Sequence, residues 1–246
     1  MAIYIVKTGS ALAAVKQRHG DFEEWIARGL KQGTATEVIT LEAQALPDYR
    51  QLSPVDGVVV TGSAAMVSDR LDWSEALAEW LRDCVARQWP VLGICYGHQL
   101  LCHALGGEAG YHPQGMEIGS HSIQLLPAAA EDPLFSAFPK TFTANLVHRQ
   151  SAQVLPKQAV LLASNAFEPH QAFRVGACAW GVQFHPEFSG TIMAEYIQHF
   201  YQELQQNQRD PDALLAKVSD APEAQAILPA FARFCDNWSL KAGAVE

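Results

Sequence analysis

A chain of 246 residues, 49% of them apolar and 17% charged, is long enough to bury the core of one large α/β domain, or of one domain with an appendage. A formal net charge of −9 without a basic run argues against nucleic acid as the main partner, and no apolar stretch is long enough to cross a bilayer. The opening residues, MAIYIVKTGSALAAVKQRHG, lack the pattern of a signal peptide, and Cys84, Cys95, Cys102, Cys178 and Cys235 are odd in number and irregular in spacing, so free thiols in a reducing cytoplasm are expected.

AIYIVKT (2–8) is an apolar run with β-branched residues and reads as the first strand. Helical spacing of Phe22, Trp25, Ile26 and Leu30 predicts a helix over 21–33, stopped at Gly33. TEVITLEA (36–43) is a second strand, and DGVVVTG (56–62) a third, continuously apolar and ending in glycine. WSEALAEWLRDCVARQ (73–88) is amphipathic, with Leu77, Trp80, Leu81 and Cys84 on one face; Asp69, Asp72 and Glu75 stand where acidic groups complement a helix dipole. PVLGIC (90–95) is the next buried strand and GHQLLCHALGG (97–107) the next helix. Short strands follow over 120–127, 141–148, 159–165, 171–176 and 177–185, then a helix over 189–208 and a tail with helical pieces, PDALLAKV and ILPAFARFCDNW.

The order β-α-β-β-α-β-α implies a mainly parallel sheet covered on both faces, an α/β three-layer sandwich, with the later strands antiparallel. Ligands bind such sheets beyond the carboxyl ends of the strands, where both Gly62 and Cys95 fall.

The stretch VLGICYGHQLL (91–101) frames a cysteine between two glycines, after a strand and before a helix. That is the logic of a nucleophile elbow: a sharp turn lifts the side chain above the sheet, and Gly93 and Gly97 fit where strand and helix crowd. The positive end of the following helix favours thiolate over thiol, and the amide of Tyr96 can donate to an oxyanion. A thiolate nucleophile needs a base, and the base an orienting group. GVQFHPEF (181–188) offers His185 at a strand end and Glu187 two residues on, across Pro186. In an extended segment both side chains fall on one side, so Glu187 can accept from one ring nitrogen and leave the other for Cys95.

GICYGHQLL together with GVQFHPEF resembles the class I glutamine amidotransferase family over roughly residues 1–205. DGVVVTGS, GMEIGSHSIQL and VHRQSAQVLP resemble its stand-alone branch, which is similar to the amidotransferase domain of GMP synthetase and to plant γ-glutamyl peptidases. The resemblance implies a flavodoxin-like fold with a short antiparallel sheet, over 1–205, and leaves 206–246 as a helical extension. It implies a Cys95-His185-Glu187 triad that forms a γ-glutamyl thioester and releases ammonia or an amine, then glutamate. It implies that Gln99 and the stretch around His148 hold the α-amino-acid end of the substrate. Gly62 falls on the second oxyanion-hole loop and Gly119 on a loop lining the site. The 61–66 loop, TGSAAM, departs from the family's glycine-rich pattern, and Ala64 and Ala65 take positive φ less freely than glycine.

Plainer roles fall to other reactive side chains. His98, Cys102 and His103 share a helical face but lack a second ligand cluster, so helix packing is expected rather than metal binding; Cys178, Trp180 and Phe184 read as core. His112, His121 and His170 read as surface residues. The chain contains no S-G-G-x-D-S pyrophosphate loop and no G-x-x-x-x-G-K-[ST]. Three functions are therefore weighed: a glutaminase subunit feeding ammonia to a separate synthetase, a free-standing γ-glutamyl hydrolase or peptidase, and a non-catalytic regulatory protein on the same fold. A small-molecule substrate, glutamine or another γ-glutamyl compound, is expected, with no metal and no organic cofactor.

Overall fold

The computed structural model describes residues 2–45, 52 and 55–242; the end of the expected tail, 243–246, lies outside them. One sheet of nine strands runs through the molecule. In spatial order its strands are β2 (Glu37–Glu42), β1 (Ala2–Lys7), β3 (Val55–Val60), β4 (Val91–Ile94), β11 (Ala179–Val182), β10 (Ala172–Val175), β9 (Ala159–Ser164), β6 (Glu117–Leu125) and β7 (Thr141–His148). The first five are mutually parallel and the pairings from β11 to β7 antiparallel. The parallel half and the antiparallel run expected from the sequence thus form one continuous sheet, joined where β11 pairs with both β4 and β10. A second sheet pairs β5 (Glu108–Tyr111) with β8 (Gln150–Val154).

Helices cover both faces. α1 (Ala13–His19) and α2 (Phe22–Leu30) follow β1, α3 (Asp72–Ala86) follows β3, and α4 (Tyr96–Ala104) follows β4. α5 (Gly190–His199) and α6 (Tyr201–Gln206) stand where one helix over 189–208 was expected; the break is at Phe200, which closes α5 and opens α6. The tail forms α7 (Pro211–Leu215), α8 (Pro222–Gln225) and α9 (Ile227–Ala242). α2 buries Phe22, Trp25, Ile26 and Leu30, the face its spacing predicts, and its N-cap Asp21 accepts from the Phe22 amide.

The core has two principal layers. One packs α2 and α9 on the sheet through residues such as Ile26, Leu30, Trp180 and Phe231. The other packs α3 and α4 through residues such as Leu77, Leu81 and Leu101. All five cysteines are buried and none of them is in a disulfide. His98, Cys102 and His103 do not converge. His98 is fully buried against Phe173, the Cys102 thiol donates to the Val154 carbonyl at 3.2 Å, and His103 reaches Glu75 at 3.0 Å. His112, expected at the surface, is buried: its ring stacks on Phe167 with centroids 4.2 Å apart, and its Nδ1 accepts from the Gln114 amide. Among the described residues no helix is long and apolar enough to cross a membrane.

Candidate active site

The parallel strands deliver their carboxyl ends to one edge, and the site lies there. β4 ends at Ile94 and α4 begins at Tyr96, so Cys95 is the single residue between strand and helix. Its backbone takes φ 50° and ψ −99°, a region that side-chain-bearing residues rarely occupy. The Cys95 amide is held by the Val182 carbonyl of β11 at 2.9 Å. The glycine frame has a steric cause. A Cβ on Gly93 would stand 2.3 Å from the Gly97 carbonyl oxygen, and one on Gly97 2.5 Å from that of Val60. The turn closes only because both positions are bare. Tyr96 then supplies the first amide of α4, a donor with no intrahelical partner, next to the thiol.

His185 arrives three residues beyond β11. Its amide donates to the Asn145 carbonyl at 2.9 Å, and its Nδ1 donates to Glu187 Oε1 at 2.7 Å. The ring packs against two phenylalanines that also touch each other, with centroids 4.2 Å from Phe188 and 5.9 Å from Phe22. On its edge lies Gly62, where a Cβ would stand 2.9 Å from His185 Cε1 and 3.8 Å from Cys95 Cβ. Three separate segments therefore meet at this point: β3's end, the elbow and the turn after β11. Burial by itself would depress the basicity of His185. The charge of the Glu187 carboxylate, the charge and hydrogen bond of Cys95 and the hydrogen bond to Glu187 together outweigh it and hold the imidazole well above the usual histidine value. With Nδ1 committed to Glu187, Nε2 remains to exchange a proton with the thiol or with a bound molecule.

A cavity of about 160 Å³ opens over Cys95 and His185. Its walls include Ser10, Leu12, Phe22, Ser63–Met66, Tyr96, Gln99, Met116, Val147–Gln150, Tyr196 and Phe200. Gln99 Nε2 donates to the Gln150 carbonyl at 2.6 Å and to Gln183 Oε1 at 3.0 Å, which fixes the amide in the cavity wall. His148 is buried with both ring nitrogens engaged, Nδ1 on the Gln150 carbonyl at 2.9 Å and Nε2 on Glu117 Oε2 at 2.8 Å. Glu117 also accepts from Asn165 and Gln171. Burial alone would raise its carboxyl; the bond and charge of His148, with Asn165, outweigh that and hold it below the ordinary glutamate value. The pair fixes the 147–150 backbone, whose Val147 carbonyl lies 3.7 Å from the Cys95 sulfur.

Gly62, Tyr96, Gln99 and His148 thus gather around Cys95, His185 and Glu187. Gly119 does not join them. It sits inside β6 opposite Leu146 at φ 124°, facing His121 and Leu214, while Met116, three residues earlier, reaches the cavity. The 61–66 loop takes no positive φ at any residue. Ser63 pins it instead, donating to the Thr8 carbonyl at 2.9 Å and accepting from Ala65 N at 3.1 Å. Space at Gly62, not backbone freedom along the loop, is what this version requires. Sequence reasoning gave no individual role to Phe188, Arg149, Gln150, Tyr196 and Glu117, which come to the site from β6, β8, α5 and two connecting turns; four of them lie inside the quoted motifs, but nothing local marks them as site residues.

A half-parallel sheet, with a cysteine elbow at its carboxyl edge facing a carboxylate-held histidine, is a fold shared with known proteins. The family model for class-I glutamine amidotransferases matches residues 15–204, and the chain belongs to that family. Among its relatives, γ-glutamyl peptidase 5 of Arabidopsis thaliana is 27% identical over 204 residues, 80% of this chain and 78% of that protein. The glutamine-hydrolysing GMP synthase of Aeropyrum pernix is 32% identical over 175 residues, 70% of this chain but only 32% of that protein. A glutamine amidotransferase of Thermotoga maritima superposes with a TM-score of 0.73 at 19% identity, covering 96% of this chain and 97% of that one.

Proposed function

We propose that the protein hydrolyses the γ-amide of glutamine through Cys95, His185 and Glu187. The Cys95 thiolate attacks the γ-carbonyl carbon, and the oxyanion is received by the Tyr96 amide and the backbone at Gly62. The protonated His185 gives its proton to the leaving nitrogen as the C–N bond breaks, so ammonia departs and a γ-glutamyl thioester remains. Water then surrenders a proton to His185, attacks the thioester, and releases glutamate with the thiol restored. Gln99 and the 147–150 backbone hold the α-amino-acid end. The observation that carries this reading is the relay itself: Glu187 on His185 Nδ1 at 2.7 Å, with the ring packed on Gly62 beside the elbow cysteine. The cavity of about 160 Å³ suits a molecule of glutamine's size.

A second reading, a free-standing γ-glutamyl hydrolase or peptidase, is favoured by one observation. The chain spans 78% of Arabidopsis γ-glutamyl peptidase 5 but only 32% of the Aeropyrum GMP synthase. Residues 1–205 would form the amidotransferase domain in either case, with 206–246 as its extension. Under the first reading ammonia passes to a separate synthetase subunit; under the second no partner is needed. Buried cysteines outside any disulfide suit a cytoplasmic protein.

The test is glutamate release by the purified chain from glutamine and from γ-glutamyl peptides, with Cys95→Ala as the blank. Cysteine-dependent release from glutamine, weak alone and stimulated by a synthetase, supports the amidotransferase. Brisk release from peptides alone supports the hydrolase. Wild-type turnover by Cys95→Ala would end both.

A further inference from the structure

The catalytic cavity has a neighbour. A second cavity of about 350 Å³ lies on the far side of Met116 and Arg149, and these two residues line both. Its other walls include Gln114, Glu203, Asn207 and Arg209. Arg149 is forked onto Glu203, with both N–O distances 2.6 Å, and its guanidinium lies 5.4 Å from the Phe200 ring centre. That pairing consumes one N–H from each terminal nitrogen and leaves the outer edge of the fork free. Arg209 is different. It donates to the Met116 carbonyl and has no carboxylate within ion-pair distance among the described residues. Burial pushes its guanidinium down, and the charge of Glu117 only partly offsets this. The chain places it there by a turn: Gln208 takes φ 57° after α6, and Arg209 folds back over the start of β6.

Two arginines and one glutamate leave this chamber with a net positive charge in a chain whose overall charge is −9. A half-buried guanidinium without an anion costs free energy that a bound anion would recover. Arg149 and Met116 form the wall that this chamber shares with the cavity over Cys95, so an anion bound here and a molecule held at Cys95 would lie on either side of the same two residues.

Resting on the γ-glutamyl reading above, we propose that the side cavity is a carboxylate subsite of the catalytic centre, with Arg209 as its principal donor and the free edge of Arg149 as the second. The carboxylate has two chemical sources in a γ-glutamyl substrate. One is the α-carboxylate of the glutamyl part; the other is the terminal carboxylate of an amino acid or peptide on the γ-nitrogen.

Four probes separate them: glutamine, glutamine with its α-carboxylate amidated, γ-glutamylglycine and γ-glutamylglycinamide. Binding is measured by calorimetry on Cys95→Ala, with and without Arg209→Gln, so the result does not depend on turnover. KM and kcat are then measured on the wild type and on Arg209→Gln. Expected is a loss of affinity of roughly tenfold or more in Arg209→Gln, the scale of a charge-assisted bond, with kcat little changed and the matching amide unaffected. Weakening of γ-glutamylglycine alone assigns the subsite to the leaving group. Weakening of every probe except the α-amide assigns it to the glutamyl end. Equal effects on acid and amide, or no binding of any probe to Cys95→Ala, overturns the proposal. Alkylation of Cys95 by iodoacetamide at the wild-type rate shows that the variant keeps its fold. Carboxylate-selective binding without turnover would sink the hydrolytic reading and spare the subsite; turnover without that selectivity does the reverse.

Discussion

His98 is fully buried one turn along α4 from Cys95, in a slot that exists only because residue 181 is glycine: a Cβ there would stand 2.7 Å from the imidazole Nδ1. Burial pushes its basicity down to about 3, proximity to the Gly181 backbone recovers a little without either ring nitrogen making a hydrogen bond, and the charges of His170 and His148 push it lower. The consequence for stability follows from linkage. Below pH about 6.5 the unfolded chain protonates this histidine while the folded chain does not, so protons favour unfolding. The contribution is therefore whole above pH 6.5 and is lost as pH falls toward 3, by about 5 kcal/mol in total. Urea denaturation at a series of pH values checks this. Wild type should lose midpoint between pH 6.5 and 4 more steeply than His98→Leu; parallel curves would mean that the buried imidazole titrates normally. Cys95, a turn away at the N-cap of the same helix, faces the cavity, and that difference in surroundings separates the packing residue from the proposed nucleophile.

At the scale of elements, α4 is positioned by contact with the backbone of β3, and that contact sets where the thiol stands. A methyl on Gly97 would meet Val60 oxygen at 2.5 Å and Val60 Cβ at 2.8 Å, and neither is a flexible side-chain tip. Gly97→Ala must therefore lift α4 from the sheet. Overpacking of this kind costs about 1–3 kcal/mol, and an ångström of displacement at Cys95 costs about a hundredfold in rate. Thermal unfolding and glutamate release should both suffer; a variant normal in both would show that helix and strand are not in contact. These glycines were legible because they frame one cysteine within five residues; the clash at Gly93 is local to that turn, whereas the one at Gly97, with Val60 of β3, is tertiary. Also legible were β1, β3 and β4 of the parallel half, whose burial within the sheet produces continuous apolar runs. Other elements were not legible. α1 buries only Val15, so it has no apolar stripe to read. β5 and β8 are four and five residues long, and β8 is separated from β7 by Arg149 alone, so no turn signal marks its start. Cys95, His185 and Glu187 could be named from two motifs. The walls of the cavity could not, because Phe22, Arg149 and Tyr196 meet only through tertiary packing.

Across the whole molecule, the segment expected as an extension is built into the core. Ile227, Leu228, Phe231, Ala232 and Cys235 of α9 are all buried and join the layer that packs α2 on the sheet. The approach is close enough to require bare positions beneath it. A Cβ on Gly57 in β3 would lie 2.5 Å from the Cys235 sulfur, and one on Gly33, just after α2, 2.2 Å from the Pro229 carbonyl oxygen and 2.7 Å from its Cα. The sequence position of Gly33 suggests a helix stop, yet α2 ends at Leu30 with Lys31 as its C-cap; what a bare residue 33 does is admit α9, and that is visible only when α9 is in place. None of the α9 residues lines the cavity over Cys95, so docking of the helix and chemistry at the elbow should separate. Gly33→Ala tests this. The methyl collides with backbone, which cannot rotate away, so α9 must shift or tilt, at a cost of about 1–3 kcal/mol. The melting temperature should fall, and proteolysis of the folded protein should begin in α9. Glutamate release at low temperature, where the variant remains folded, should keep the wild-type kcat and KM. A normal melting temperature would show that α9 is not seated against residue 33, while lost activity in a folded variant would show that the helix transmits its position to the site.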